Sequence, residues 1–118
     1  MGYESKLYVV EESNFVYPSD NGKVWAEVIA MIDMCKCYPL ADAFNSEAHG
    51  YIYADDGNTR IEEDMYGSPL GVAEIDDVIE CLKGIVKTDG YWRAKVAIDL
   101  LKSIKKTNPN CKVYHYGY

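Results

Sequence analysis

Apolar residues recur at period two along Lys23–Cys37, where Val24, Ala26, Val28, Ala30, Ile32 and Met34 fall on one side without a polar interruption. The alternate positions, Trp25, Glu27, Ile29, Met31, Asp33, Cys35 and Cys37, are mixed. A strand with one apolar and one half-polar side fits the middle of an antiparallel sheet. A helix would need a single stripe at period 3.6, which Glu27, Asp33 and Lys36 interrupt. The pattern therefore predicts a long strand whose Val24–Met34 side meets helices. Its other side stays open to a partner or to solvent.

The same reading orders the rest of the chain. Tyr3–Val10 alternates as a first strand, and the turn formers Tyr17-Pro18-Ser19-Asp20-Asn21-Gly22 return it into the long strand as a wide hairpin. Pro39 stops the long strand, because it cannot donate to a ladder. Leu40–Ala48 reads as a short helix. Tyr51–Ala54 and Thr59–Glu62 flank Asp55-Asp56-Gly57-Asn58 as a second, tight hairpin.

Ile75, Val78, Ile79, Leu82, Ile85 and Val86 then form one apolar stripe at helical spacing. Acids lie in its first turn and lysines near its end, as the helix dipole favours. Thr88-Asp89-Gly90 ends it. A second helix follows, with Trp92, Val96, Ala97, Leu100, Leu101 and Ile104 inward and Arg93, Lys95, Lys102, Lys105 and Lys106 outward. The short link makes the two helices antiparallel neighbours. Asn108-Pro109-Asn110 leads into a last strand, Cys111–Tyr116. The expected class is α+β: an antiparallel sheet of four to five strands with the two helices on one face.

Composition changes this picture little. A chain of 118 residues, 48% of them apolar, has room for one domain and one core. No apolar run approaches a membrane span, and the start Met-Gly-Tyr-Glu-Ser-Lys lacks a signal peptide's apolar core. Four cysteines in a chain without an export signal read as thiols. These features predict a cytoplasmic protein. Eleven tyrosines against two Phe and two Trp suit half-buried sheet faces and also binding surfaces.

Charge changes it more. The net −7 is uneven: residues 1–90 carry −12 and residues 91–118 carry +5. An acidic body repels nucleic acid, so direct nucleic-acid binding is disfavoured, and it attracts a basic groove on a protein. The carboxylates Asp55, Asp56, Glu62, Glu63 and Asp64, with Tyr51, Tyr53 and Tyr66 among them, are the candidate partner-binding surface. As a cation site the same acids would diverge around a tight hairpin, and they lack the calcium-loop spacing.

Cys35 and Cys37 share one side of a strand, as do Cys111 and His115. If those strands met, a Cys₃His zinc site could form. A Cys–His nucleophile pair is formally available from Cys35, Cys37, Cys81 or Cys111 with His49 or His115, but acids near Cys35 oppose thiolate formation. There is no Gly-rich phosphate loop, G-x-S-x-G or H-E-x-x-H. The expectation is a binding protein and not an enzyme, with no cofactor. A zinc-stabilised regulator is the alternative, as is a nucleotide-sequestering protein or enzyme with an unrecognised pocket.

The opening Met-Gly-Tyr-Glu-Ser-Lys-Leu-Tyr-Val-Val, the Tyr-Ala-Asp-Asp-Gly-Asn-Thr of residues 53–59 and the closing His-Tyr-Gly-Tyr are similar to short phage and prophage proteins of Firmicutes. In size and charge the chain also resembles, as a class, anti-CRISPR inhibitors of Cas9. What that resemblance implies is a counter-defence protein that occupies a host effector's surface, Cas9 being one such effector. It carries over no functional residue.

Overall fold

In the computed structural model, which describes residues 4–13, 22–54 and 56–118, the chain is an α+β protein built on a mixed, curled sheet. Its strands are β1 (Ser5–Glu12), β2 (Val24–Cys35), β3 (Ser46–Glu47), β4 (Gly50–Tyr53), β5 (Arg60–Ile61), β6 (Gly71–Glu74) and β7 (Lys112–Gly117). They lie in the order β3-β6-β7-β1-β2-β4-β5. The helices are α1 (Ile75–Asp89) and α2 (Trp92–Thr107). The sheet is thus seven-stranded rather than four- or five-stranded. It is also mixed, because β4 joins β2 in parallel at Val24 and Trp25.

The long strand is extended as its period requires, and it pairs antiparallel with β1 along its length. The turn expected over Tyr17–Gly22 lies, except for Gly22, outside the described residues. The second hairpin is present, with Ile52 opposite Ile61 and Tyr53 opposite Arg60. The helix expected over Leu40–Ala48 is instead a 3₁₀ turn at Tyr38–Ala43 followed by β3. Pro39 sets the start of that turn, and the segment is too short for α-helical bonds to repay their nucleation.

A bulge divides β2. Val9 pairs with Ala30 and Val10 with Val28, so Ile29 is an extra residue. Alternation inverts across such an insertion. Ala30, Ile32 and Met34 therefore pack with Leu7, Val9 and Val113 beneath the helices. Ala26 and Val28 join Val10, Ile52, Leu70 and Tyr114 on the opposite side, where β4 and β5 curl over the sheet. The expectation that all of Val24–Met34 meets the helices thus holds for one half only. The protein has two interiors, one on each side of β1 and β7.

α1 buries the stripe its spacing announces, Ile75, Val78, Ile79, Leu82 and Ile85. Gly90 closes it at φ 64°, donating its N–H to the Val86 carbonyl at 2.9 Å. α2 is rotated from expectation: Ala94, Ala97, Ile98 and Leu101 are buried, while Trp92 and Val96 face outward. That stripe, half of it alanine, belongs to a helix that packs chiefly on α1. Lys105, near the end of α2, pairs with Asp76 in the first turn of α1, which makes the helices antiparallel.

Candidate binding surface

Where β4 and β5 cross toward β7, a polar groove of about 650 Å³ opens. Glu62, Glu63 and Asp64 line it together, with Glu47 from β3, Lys23 before β2, Arg60 on β5 and Tyr116 on β7. Three of the five acids singled out in the sequence therefore do converge on one surface. Asp55 lies outside the described residues.

The acids differ in what they are free to do. Asp56 holds its own turn: Oδ1 accepts the Asn58 and Thr59 N–H groups at 2.8 and 2.9 Å, and Oδ2 accepts the Thr59 hydroxyl at 2.6 Å. Those bonds, the Thr59 hydroxyl first, lower its pKa. Asp64 Oδ1 likewise accepts the N–H groups of Tyr66 and Ser68, at 2.9 and 3.0 Å. Glu62 is bracketed by cations, Arg60 Nε at 3.0 Å and Lys23 Nζ at 3.8 Å. Glu63 is exposed.

The tyrosines separate too. Tyr51, a candidate anchor, is only 5% exposed, its ring beneath the Arg60 guanidinium at 3.7 Å and edge-on to Tyr53. Packed in this way it props the hairpin. Tyr66 is 57% exposed on the turn that Asp64 ties, and Tyr53 is exposed on β4. Neither Tyr53 nor Tyr66 lines the groove, whose wall carries mixed charge. Tyr116, Arg60, Lys23 and Glu47 were not in the sequence-based set, because their meeting depends on the curl of the sheet and no local spacing encodes it.

The zinc candidates do not converge. Cys35 pairs with Ser5 at one end of β1, whereas Cys111 precedes Lys112, which pairs with Val10 toward the other end. Five residues of strand separate those levels by roughly 17 Å. His115 is buried, its Nε2 at 2.9 Å from the Ser5 hydroxyl and its ring against Phe44. Among the described residues no group of three or more metal-ligating side chains comes together.

The thiols are shifted toward protonation. Burial raises the pKa of Cys37, Cys81 and Cys111; burial and then the Asp33 carboxylate raise that of Cys35. Cys37 and Cys81 share a largely apolar cavity of about 380 Å³ between α1 and the 3₁₀ turn, beside Ile85 and Tyr91. Neither histidine lines it.

No protein-family model, curated protein or solved structure matches the chain. Among the described residues, no helix is long and apolar enough to cross a membrane.

Proposed function

We propose that this protein acts by stoichiometric binding, presenting the acidic groove and the exposed tyrosine of the adjoining turn to a basic surface on another protein. The observation that carries the reading is that Glu62, Glu63 and Asp64 line one groove, with exposed Tyr66 on the turn that Asp64 ties, in a chain whose first 90 residues hold −12. Aromatic anchors supply contact area that is lost from water, and the carboxylates supply direction and rate of approach. On this reading no bond is made or broken, and inhibition follows from occupancy. The similarity to phage and prophage proteins makes a bacterial host's defence effector the partner to assay first, Cas9 among them.

The informative variants avoid the acids that hold turns. Glu63→Lys with Glu47→Lys reverses charge on the groove wall at two exposed positions, and Tyr66→Ala removes the exposed aromatic of the adjoining turn. Binding to the purified effector, followed by calorimetry, is expected to weaken at least about tenfold with the charge pair. Thermal stability is expected to stay at the wild-type value. Unchanged affinity in both variants would remove this surface from the account.

A further inference from the structure

The cavity of about 380 Å³ between α1 and the 3₁₀ turn has the size of a small-molecule site. Its body is formed by Cys37, Pro39, Cys81, Ile85 and Tyr91. The polar side-chain atoms around that body are already engaged within the chain. The Cys81 thiol donates to the Pro39 carbonyl at 3.7 Å, the Tyr91 hydroxyl to the Met34 carbonyl at 2.7 Å and the Thr88 hydroxyl to the Gly84 carbonyl at 3.0 Å. A molecule seated there therefore meets mainly hydrocarbon and sulfur.

Gly84 is a second, independent feature of the same place. It lies inside α1 and lines the cavity, and a Cβ added to it meets nothing within 4 Å. Among the described residues neither a turn nor a close approach requires glycine there, and glycine weakens a helix interior. A larger side chain at this position would strengthen the helix and project toward the cavity. What the glycine provides is room.

Charge decides what kind of molecule fits. Asp42, Asp89 and Lys36 also line the cavity, and all three are exposed. Among the described residues none of them forms an ion pair. The carboxylates act on the interior: burial and then Asp42 raise the Cys81 pKa, and burial, then Cys81 and Asp89, raise that of Cys37 against a backbone hydrogen bond at Leu40. The lining thus holds two negative charges against one positive. It also runs along the C-terminal half of α1, the negative end of the helix dipole.

We infer that this cavity binds a small organic cation, an amine whose apolar body lies over Gly84 beside Ile85 and Pro39 and whose ammonium group meets Asp42 or Asp89. Anions are the wrong class, nucleotides included, because their phosphates would meet both carboxylates. A neutral molecule of the same shape keeps the apolar contact and leaves the carboxylates to water. Since those carboxylates are exposed, selection by charge is several-fold and not absolute. The site shares no lining residue with the acidic groove, so it stands or falls apart from the protein-binding reading.

Heteronuclear NMR titration of the full chain under reducing conditions tests the inference with tryptamine, the neutral alcohol tryptophol and the anion indolepropionate, which share one ring system and differ in charge. The amide signals of Cys37, Gly84 and Ile85 are expected to move and saturate with tryptamine, while those of Glu62 and Glu63 in the acidic groove stay in place. Tryptophol is expected to bind at least about threefold more weakly, and indolepropionate more weakly still. Gly84→Leu sends a side chain toward the cavity; it is expected to fold as the wild type does by circular dichroism and to bind tryptamine at least about tenfold more weakly. Asp42→Asn with Asp89→Asn, at two exposed positions, is expected to leave tryptophol binding unchanged and to remove the advantage of tryptamine. A wild-type chain that binds none of the three overturns the inference, as does tryptamine binding that Gly84→Leu leaves unchanged. Equal affinity for the three probes, or a preference for indolepropionate, overturns the assignment of a cation.

Discussion

Tyr114 and His115 are neighbours on β7 and look into different interiors. The Tyr114 hydroxyl donates to Glu12 Oε2 at 2.5 Å, and Lys112 Nζ meets the other oxygen at 3.3 Å. Burial and then the Glu12 carboxylate push that phenol far above the range in which it could ionise. Gly50 is required beside it, since a Cβ there would press on the Tyr114 hydroxyl and stand 2.9 Å from the Val24 carbonyl oxygen. His115 sits on the helix side against Ser5 and Phe44, and burial lowers its pKa from 6.5 against an opposing pull from Asp64. A histidine held neutral in the folded state binds its proton more readily when unfolded, so its contribution to stability is complete above about pH 6.5 and shrinks as pH falls below it. Melting temperature is expected to drop between pH 7.5 and 5.5 more steeply in the wild type than in His115→Asn. The difference in slope is expected to approach, and not exceed, the about 1.4 kcal/mol per pH unit of one proton. Parallel curves would mean that His115 does not titrate in this window. At this scale the sequence showed which residues are acidic, but not that Asp56 and Asp64 spend their oxygens on their own turns.

Among the elements, those with enough residues to display a period were legible: β1, β2, both helices and β7. The β4–β5 hairpin was legible from the turn formers between its short arms, whereas β3 with two residues and β6 with four are too short for alternation to register against background and have no such marker. The bulge at Ile29 was hidden for another reason. The even positions of β2 stay apolar through it, so the sequence reads as one continuous face although the two halves serve opposite interiors. The parallel β2–β4 contact depends on where the 3₁₀ turn and β3 send the chain, which no local pattern states. α1 contains a further departure, Gly84, whose missing side chain leaves nothing within 4 Å. Among the described residues no neighbour requires glycine there, and glycine inside a helix costs about 0.5–1 kcal/mol relative to alanine. Gly84→Ala is therefore expected to stabilise the protein by about that amount in urea unfolding, through helix propensity alone. Destabilisation would show instead that the apolar cavity beside Cys81, which Gly84 lines, must stay open.

Taken whole, the molecule keeps its charges apart. The acids belong to the sheet, its hairpin and α1, and the excess cations to α2 and β7; Lys105–Asp76 and Lys112–Glu12 tie the two groups internally. Lys87, Lys102 and Lys106 remain exposed on the helices, and none of them lines the acidic groove. They offer a way to change the molecule's field without touching that surface. If the groove meets a basic partner, the long-range field sets the rate of encounter and the local contacts set the lifetime. Replacing the three lysines with glutamine makes the chain three units more negative than −7 while leaving every groove residue in place. Association with the effector is then expected to quicken several-fold at low ionic strength, with dissociation unchanged. The gain is expected to fade as the Debye length shortens to about 8 Å near physiological salt. Stopped-flow rates over a salt series read both quantities at once. An association rate that is indifferent to salt and to the three substitutions would mean that charge does not guide this protein to its partner, whatever the tyrosines then contribute on contact.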